Sequence, residues 1–511
     1  MHPRISAMLA SALLAATAVG ASGQSSGPDT THTVASAAPS GAPAASDSAA
    51  ANLRTTLDLR LGEHIILALK ATDAGLHGDS AAFDAYNILL SRNGTDIGAM
   101  LGSLYGQDAQ DRFDVLWSAH NGGFVAYTNA IAAGDKAQQD KALSDLTTAF
   151  VPDFSKFIAD ATGLPLDAVT SLVAGHIEDT RVVIDAQAAP RWPTAYAGIR
   201  TAFGHMQAIG DALAGAIAAK FPDQLAGDPS TPAVDFRVAL NQLLLEHMYL
   251  VTFASEAQLD RYADEMAAAI TSLNANGTDI GGAIGSLFGQ SAADQFNLAW
   301  SAHNGLFVDY ANGLLAGDQQ MQDKAMQALT TDVVPRLASL LAGATGLPED
   351  VLTGLVSDHI QNTKAAIDAQ ASGDATAAAA ADLAAARHMQ DIGDPLAAGI
   401  VAALPGSFPE PSPASATGGI PVTLADFTIT PATIDATGTT ITFDVVNDGP
   451  TPHNMTVRDD TGTVLGATSD LTTGGTETLT ITVPGPGTYI TFCSLPGHEA
   501  LGLKGVLVVT G

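Results

Sequence analysis

The stretch "FCSLPGHEALGLKG", Phe492 to Gly505, holds the single cysteine of a 511-residue chain. His498 follows Cys493 by five residues, and Leu503 follows His498 by five. One cysteine has no partner for an internal disulfide, so Cys493 is a buried spectator, a reactive thiol or a metal ligand. The flanking residues narrow the choice. "TYITFC" reads as a strand ending at the thiol, "SLPGHEALGL" as a loop carrying the histidine, and "GVLVV" as the next strand.

The same texture runs outward. "TITFDVVNDG", "HNMTV" and "TETLTITVPGPG" are short, rich in Thr, Val and Ile, and bounded by Gly, Pro, Asn and Asp. That pattern predicts an all-β sandwich of about seven or eight strands over residues 419–511. His453 opens "HNMTV", forty residues before Cys493. Two imidazoles and one thiolate are the donor set that copper favours in a trigonal blue site.

With those residues in hand, the segment from about Gly418 to Gly511 resembles the cupredoxins of the plastocyanin and auracyanin kind. Cys493 and His498 match the family's C-terminal Cys-x4-His, and "PHN" at Pro452–Asn454 matches its first-ligand context. The resemblance implies a Greek-key sandwich and a type 1 copper held by His453, Cys493 and His498. It also implies one-electron transfer to an unknown redox partner protein. Leu503 stands at the family's axial methionine position and cannot ligate, which implies a raised potential. Met455 is read as core. Leu495, Pro496, Leu501 and Leu503 are expected to form an apolar docking face beside His498.

Upstream lie two copies of one unit, offset by 183 residues. "NGTDIG" begins at Asn93 and Asn276, "WSAHNG" at Trp117 and Trp300, "ATGLP" at Ala161 and Ala344, and "IDAQ" at Ile184 and Ile367. Apolar residues recur at helical spacing, as in Phe113, Trp117, His120, Phe124 and Tyr127. The clusters "NGTD", "AAGD", "TGLP" and "APRWP" read as breaks. Each unit is therefore expected to be a bundle of four main helices plus shorter ones, at 51–223 and 234–405. The fold class is multidomain: two tandem all-α helical bundles followed by an all-β cupredoxin Greek-key sandwich.

Each unit carries histidine at four matched places: His64 with His247, His120 with His303, His176 with His359, and His205 with His388. Four imidazoles from four helices are a candidate site for copper or zinc; the alternative is a set of satisfied core histidines. Glu63 and Glu246 precede the first pair and are candidates for orienting it. Met206 and Met389, beside the last pair, are read as core. The units resemble a family of exported bacterial helical proteins with histidines in "EH", "H-I" and "HM" contexts. That resemblance supports a bundle and assigns no reaction.

The N-terminus carries Arg4, a short apolar run from Ile5 to Val19 and small residues near Ala21, the pattern of a secretory signal peptide over 1–23. An Ala/Ser/Pro/Gly leader over 24–50 and a Pro/Ser linker over 406–418 complete the division. The mature chain is expected to be secreted or periplasmic, without a transmembrane segment. Fifty-three acidic against 21 basic residues give a net charge of −32, which disfavours nucleic acid and anionic membranes. No nucleophile elbow, P-loop, dinucleotide fingerprint or paired catalytic carboxylates occur, and His-x-His pairs for a multicopper cluster are missing. The reading is an exported copper carrier rather than an enzyme. The alternative is a copper buffering or sequestration protein.

Overall fold

The computed structural model describes residues 46–408, 419–425, 428–449, 452–459, 461–472, 474–495, 498–499 and 503–510. The expected signal peptide, most of the leader and the linker from residue 409 lie outside the described residues. Residues 46–50 of the expected leader are ordered: Ser48 caps the first helix, accepting the Ala51 N–H at 3.1 Å.

The first unit contains α1 (Ala49–His77), α2 (Ser80–Tyr105), α3 (Gln107–Ala133), α4 (Lys136–Asp145), α5 (Val151–Thr162), α6 (Leu166–Ala188) and α7 (Trp192–Lys220). The second repeats the order as α8 (Pro232–Leu259), α9 (Ala263–Phe288), α10 (Gln290–Ala316), α11 (Gln319–Ala328), α12 (Val334–Thr345), α13 (Glu349–Ser372) and α14 (Ala375–Ala403). Each bundle thus has five long helices rather than four. The extra one arises because "NGTDIG" does not break the chain: Asn93 lies inside α2 and Asn276 inside α9. Packing overrides the local turn signal. A Cβ at Gly94 would sit 2.6 Å from Cδ1 of Trp117, and one at Gly277 2.9 Å from Cδ1 of Trp300, so glycine is what lets α2 and α9 close on the next helix. The breaks at "AAGD" and "TGLP" do end helices, with Gly134 and Gly163 in the left-handed region that glycine favours.

Leu146–Phe150 and the matching Leu329–Val333 are π-helical segments. A π turn is uncommon and re-aims the side chains beyond it. In the first bundle it places the Phe150 ring parallel to that of His120, centroids 4.8 Å apart.

The bundles share one continuous apolar core running from Leu53 to Leu396. Polar pairs cross their junction reciprocally. Arg387 on α14 reaches back to Glu63 on α1 at 2.8 and 2.7 Å, and Arg200 on α7 reaches forward to Glu246 on α8 at 2.9 and 3.2 Å. The Asp of "NGTDIG" takes part in both exchanges, Asp96 with Arg387 and Asp279 with Arg200 at 2.5 Å.

From Ile420 onward the chain forms a sandwich of two sheets. Its strands are β1 (Ile420–Ala425), β2 (Thr428–Thr430), β3 (Thr433–Thr437), β4 (Thr440–Asn447), β5 (Thr456–Arg458), β6 (Val464–Ala467), β7 (Thr476–Thr482), β8 (Gly487–Phe492) and β9 (Lys504–Thr510). One sheet has the order β2-β1-β4-β7 and the other β3-β9-β8-β5-β6. Alternation explains the core: along β4, Ile441, Phe443, Val445 and Asn447 point inward while the residues between them face outward. Antiparallel β8 and β9 flank the "SLPGHEALGL" loop, so both ends of that loop are anchored.

Candidate metal centres

In the first bundle, His64 on α1, His120 on α3 and His176 on α6 converge: one ring nitrogen from each lies within 4.8 Å of the others. The His120 and His176 Nε2 atoms are 3.1 Å apart. In the second bundle His247, His303 and His359 form the same group, with 3.3 Å between the last two Nε2 atoms. Two nitrogens bound to one tetrahedral ion at 2.0–2.1 Å stand about 3.3 Å apart, the spacing that one pair in each triad has. All six rings are buried, and desolvation pushes their pKa values down; His303 falls to about 4. They are therefore neutral near pH 7, the form in which an imidazole can ligate an ion.

The fourth histidines do not join the triads. The His205 ring leans on Gly175, and its Nδ1 pairs with Asp179 Oδ2 at 2.8 Å. His388 Nδ1 pairs with Asp391 Oδ2 at 3.1 Å. The cause is helical geometry, since neighbouring residues point about 100° apart. Met206 and Met389 take the inward direction, each 2% exposed, and leave the histidines at the rim. Glu63 does not orient His64 either. Its carboxylate is held by Asn93 Nδ2 at 3.0 Å, by Arg60 at 3.0 Å and by Arg387. Glu246 is likewise held by Asn276 at 2.7 Å and by Arg200.

The junction also holds a group outside the matched histidine pairs. Asp73 and His77 on α1 meet Glu265 on α9, with one ligand atom of each within 4.8 Å of the others. The His77 ring stacks on Tyr262 at 4.5 Å and on Trp192 at 5.7 Å. Hydrogen bonding to Asp73 raises the His77 pKa to about 9, and burial raises Glu265 to about 8. The i, i+4 spacing of Asp73 and His77 was visible in the sequence; the approach of Glu265 was not.

In the sandwich, Cys493 follows β8 and is fully buried. Its N–H donates to the Leu503 carbonyl at 2.9 Å, and the Leu503 N–H donates to the His498 carbonyl at 3.0 Å, which closes the loop onto itself. His453 is held from the far side: its N–H donates to Leu471 at 3.0 Å, and the Leu471 N–H donates back at 2.7 Å. The three donors meet. Cys493 Sγ is 3.5 Å from His498 Nδ1, and His453 Nδ1 is 3.0 Å from that same atom. An ion bound at 2.3 Å to sulfur and 2.0–2.1 Å to nitrogen brings the two donors about 3.5 Å apart. The cupredoxin-like domain model matches residues 396–509.

This segment is a cupredoxin-like domain.

The match begins inside α14, whereas the first described strand begins at Ile420. Among curated relatives, Auracyanin-B of Chloroflexus aurantiacus is 43% identical over 51 residues, which is 10% of this chain and 22% of that protein. Among solved structures, dithionite-reduced auracyanin of Roseiflexus castenholzii is 26% identical, covering 18% of this chain and 97% of that one, with a TM-score of 0.17. A purple cupredoxin of Nitrosopumilus maritimus is 24% identical, covering 18% of this chain and 99% of that one, with a TM-score of 0.15.

Within the cupredoxin-like domain, Asn454 ties the strand of one histidine to the thiol. Its N–H points at Cys493 Sγ at 3.5 Å, and its Oδ1 accepts the Ser494 N–H at 2.9 Å. Its Nδ2 donates to Asp470 at 2.7 Å. Leu503 is fully buried in the sandwich core, as is Met455. The expected docking face is corrected on that point: Leu503 is interior, and Leu495 is only partly exposed against the core. Pro496 and Leu501 lie outside the described residues. Beside His498, Glu499 forms an ion pair with Arg458, and the Arg458 guanidinium lies 4.2 Å over the Phe492 ring. The rim described here is charged as well as apolar.

Proposed function

We propose that the protein is an exported copper-binding electron carrier, with the cupredoxin-like domain as its redox centre and the helical repeats as further metal-binding modules. The observation that carries this reading is the convergence of Cys493 Sγ, His453 Nδ1 and His498 Nδ1 on one point. Copper bound there would supply one-electron Cu(I)/Cu(II) chemistry. The residues supply the rest. Cys493 is the anionic ligand, and the Asn454 N–H stabilises its charge. His453 and His498 are the imidazole ligands, and the backbone bonds through Leu503 and Leu471 hold all three donors still, which keeps reorganisation small. Leu503 offers no axial donor, so the reduction potential is expected to be high.

Export is argued from the Arg4 n-region and the apolar run that follows it. Among the described residues, no helix is long and apolar enough to cross a membrane. A second reading, copper buffering or sequestration, is favoured by the two histidine triads outside the cupredoxin-like domain. Voltammetry of the copper-loaded chain separates the two. A carrier gives a reversible one-electron wave that Cys493→Ser removes. Copper retained without a reversible wave overturns the carrier reading in favour of buffering.

A further inference from the structure

The surroundings of the triads bear on which ion they take. The Nδ1 atoms of His64, His120 and His176 are buried without a hydrogen-bond partner, as are those of His247, His303 and His359. A zinc-bound imidazole ordinarily donates its second N–H to a carboxylate or carbonyl, which strengthens it as a ligand. Neither triad provides that acceptor, and neither group contains an anionic ligand. The walls are aromatic instead. The Trp117 ring centroid lies 4.5 Å from that of His64, and Trp300 stands 4.4 Å from His247. The cost of burying an ion in such surroundings grows with the square of its charge, so a monovalent ion pays roughly a quarter of the divalent penalty. Cu(I) is monovalent and soft, and it accepts imidazole donors.

The first bundle adds a second feature. A cavity of about 60 Å³ abuts the triad, lined by His120, His176, Leu101, Phe113, Phe150 and Phe154 among others. An apolar cavity of about 150 Å³ takes benzene, a molecule of six heavy atoms. The cavity therefore fits a molecule of two or three heavy atoms, and its apolar walls select a neutral one.

We infer that both triads are tri-imidazole Cu(I) sites, and that in the first bundle the adjoining cavity delivers a neutral diatomic ligand to the bound ion. This rests on the triads being metal sites, as proposed above, and is independent of the copper centre at Cys493.

The test uses the full chain carrying Cys493→Ser, His453→Gln and His498→Gln, so that the cupredoxin-like site offers no donor and only the bundles are read. Under anaerobic conditions, Cu(I) is titrated against a chromophoric Cu(I) chelator. The chain is expected to hold two equivalents and to lose tryptophan fluorescence as they bind. His120→Gln and His303→Gln should each remove one equivalent; if either unfolds the chain, His64→Gln and His247→Gln read the same two sites. Carbon monoxide is then added as the probe ligand. It should give a bound C–O stretching band in the infrared. Ala161→Leu, which fills the cavity, should weaken carbon monoxide binding at least tenfold while leaving Cu(I) uptake unchanged. Uptake of no Cu(I), retention of Zn(II) as tight as that of Cu(I), or the lack of a carbon monoxide band overturns the inference. Failure here with a normal redox wave in the unsubstituted chain leaves the carrier reading standing.

Discussion

His120 and His176 place their Nε2 atoms 3.1 Å apart inside the first bundle, and the repeat-related His303 and His359 do the same at 3.3 Å. Without an ion these rings stay neutral because burial disfavours the imidazolium. An unfolded histidine titrates near 6.5 and folded His303 near 4, so between those values only the unfolded chain takes up the proton. The stability this contributes is complete above about pH 6.5 and is lost as pH falls towards 4. For His303 alone it amounts to about 3 kcal/mol. The melting temperature of the metal-free chain should fall between pH 7 and 4.5, and less steeply in His303→Gln. A flat profile over that range would contradict the burial argument.

The exchange of Arg387 and Arg200 across the junction gives a second test. Removing the guanidinium of Arg387 leaves the Glu63 carboxylate, whose side chain is 2% exposed, with only Asn93 and Arg60. Arg387→Ala should cost about 2 kcal/mol, the scale of lost charge-assisted hydrogen bonds. Adding Glu63→Gln should recover part of the loss, since a neutral amide needs no counter-charge. Denaturant titration of the single and double variants measures it, and additive losses would sink the idea.

Glycine in the middle of α2 is a packing requirement. Gly94→Ala forces a Cβ against Trp117 and should destabilise the chain by about 1–3 kcal/mol. Gly122, on α3, faces open space, so Gly122→Ala should be neutral or stabilise by under about 1 kcal/mol. Equal effects at the two positions in thermal melts would show that the Trp117 contact is unimportant.

Asp58 is fully buried beside Arg54, Asp211 and Asp235, and desolvation together with Asp211 raises its pKa well above the usual carboxylate range. The second repeat has Asn241 at the matching place. For a carboxyl with a raised folded pKa, stability is present at low pH and is lost as pH rises past the unfolded value near 3.9. Asp58→Asn removes that loss. It should match the parent near pH 3.5 and melt higher at pH 7, with Arg54 still paired to Asp211 at 2.5 Å. A lower melting temperature at pH 7 would contradict a neutral Asp58.

Much of this organisation could be read from the sequence because it rests on local spacing and on an internal copy. The strand–loop–strand around Cys493 and His498 needs only residues close in the chain, and the 183-residue offset displays all four matched histidine pairs, of which the fold brings three together. What escaped depends on distant partners. Asn93 looks like a turn residue until Glu63 claims its amide, and Glu63 looks like a companion of His64 until Arg387, 324 residues away, claims its carboxylate. His205 and Met206 each suit the inward face, and only packing chooses the methionine. Asn454 was visible within "PHN", but its grip on Ser494 and Asp470 belongs to the folded loop. The short strand β2, three residues long, lies below what alternation can resolve, and nine strands stand among the described residues where about seven or eight were expected.

The central claim is that one thiolate and two imidazoles hold copper between them, and visible absorption of the copper-loaded full chain tests it most directly. The account expects an intense thiolate-to-copper band that Cys493→Ser abolishes and Met455→Leu leaves in place. Copper bound at His453 and His498 without that band, or a band that survives Cys493→Ser, would contradict it.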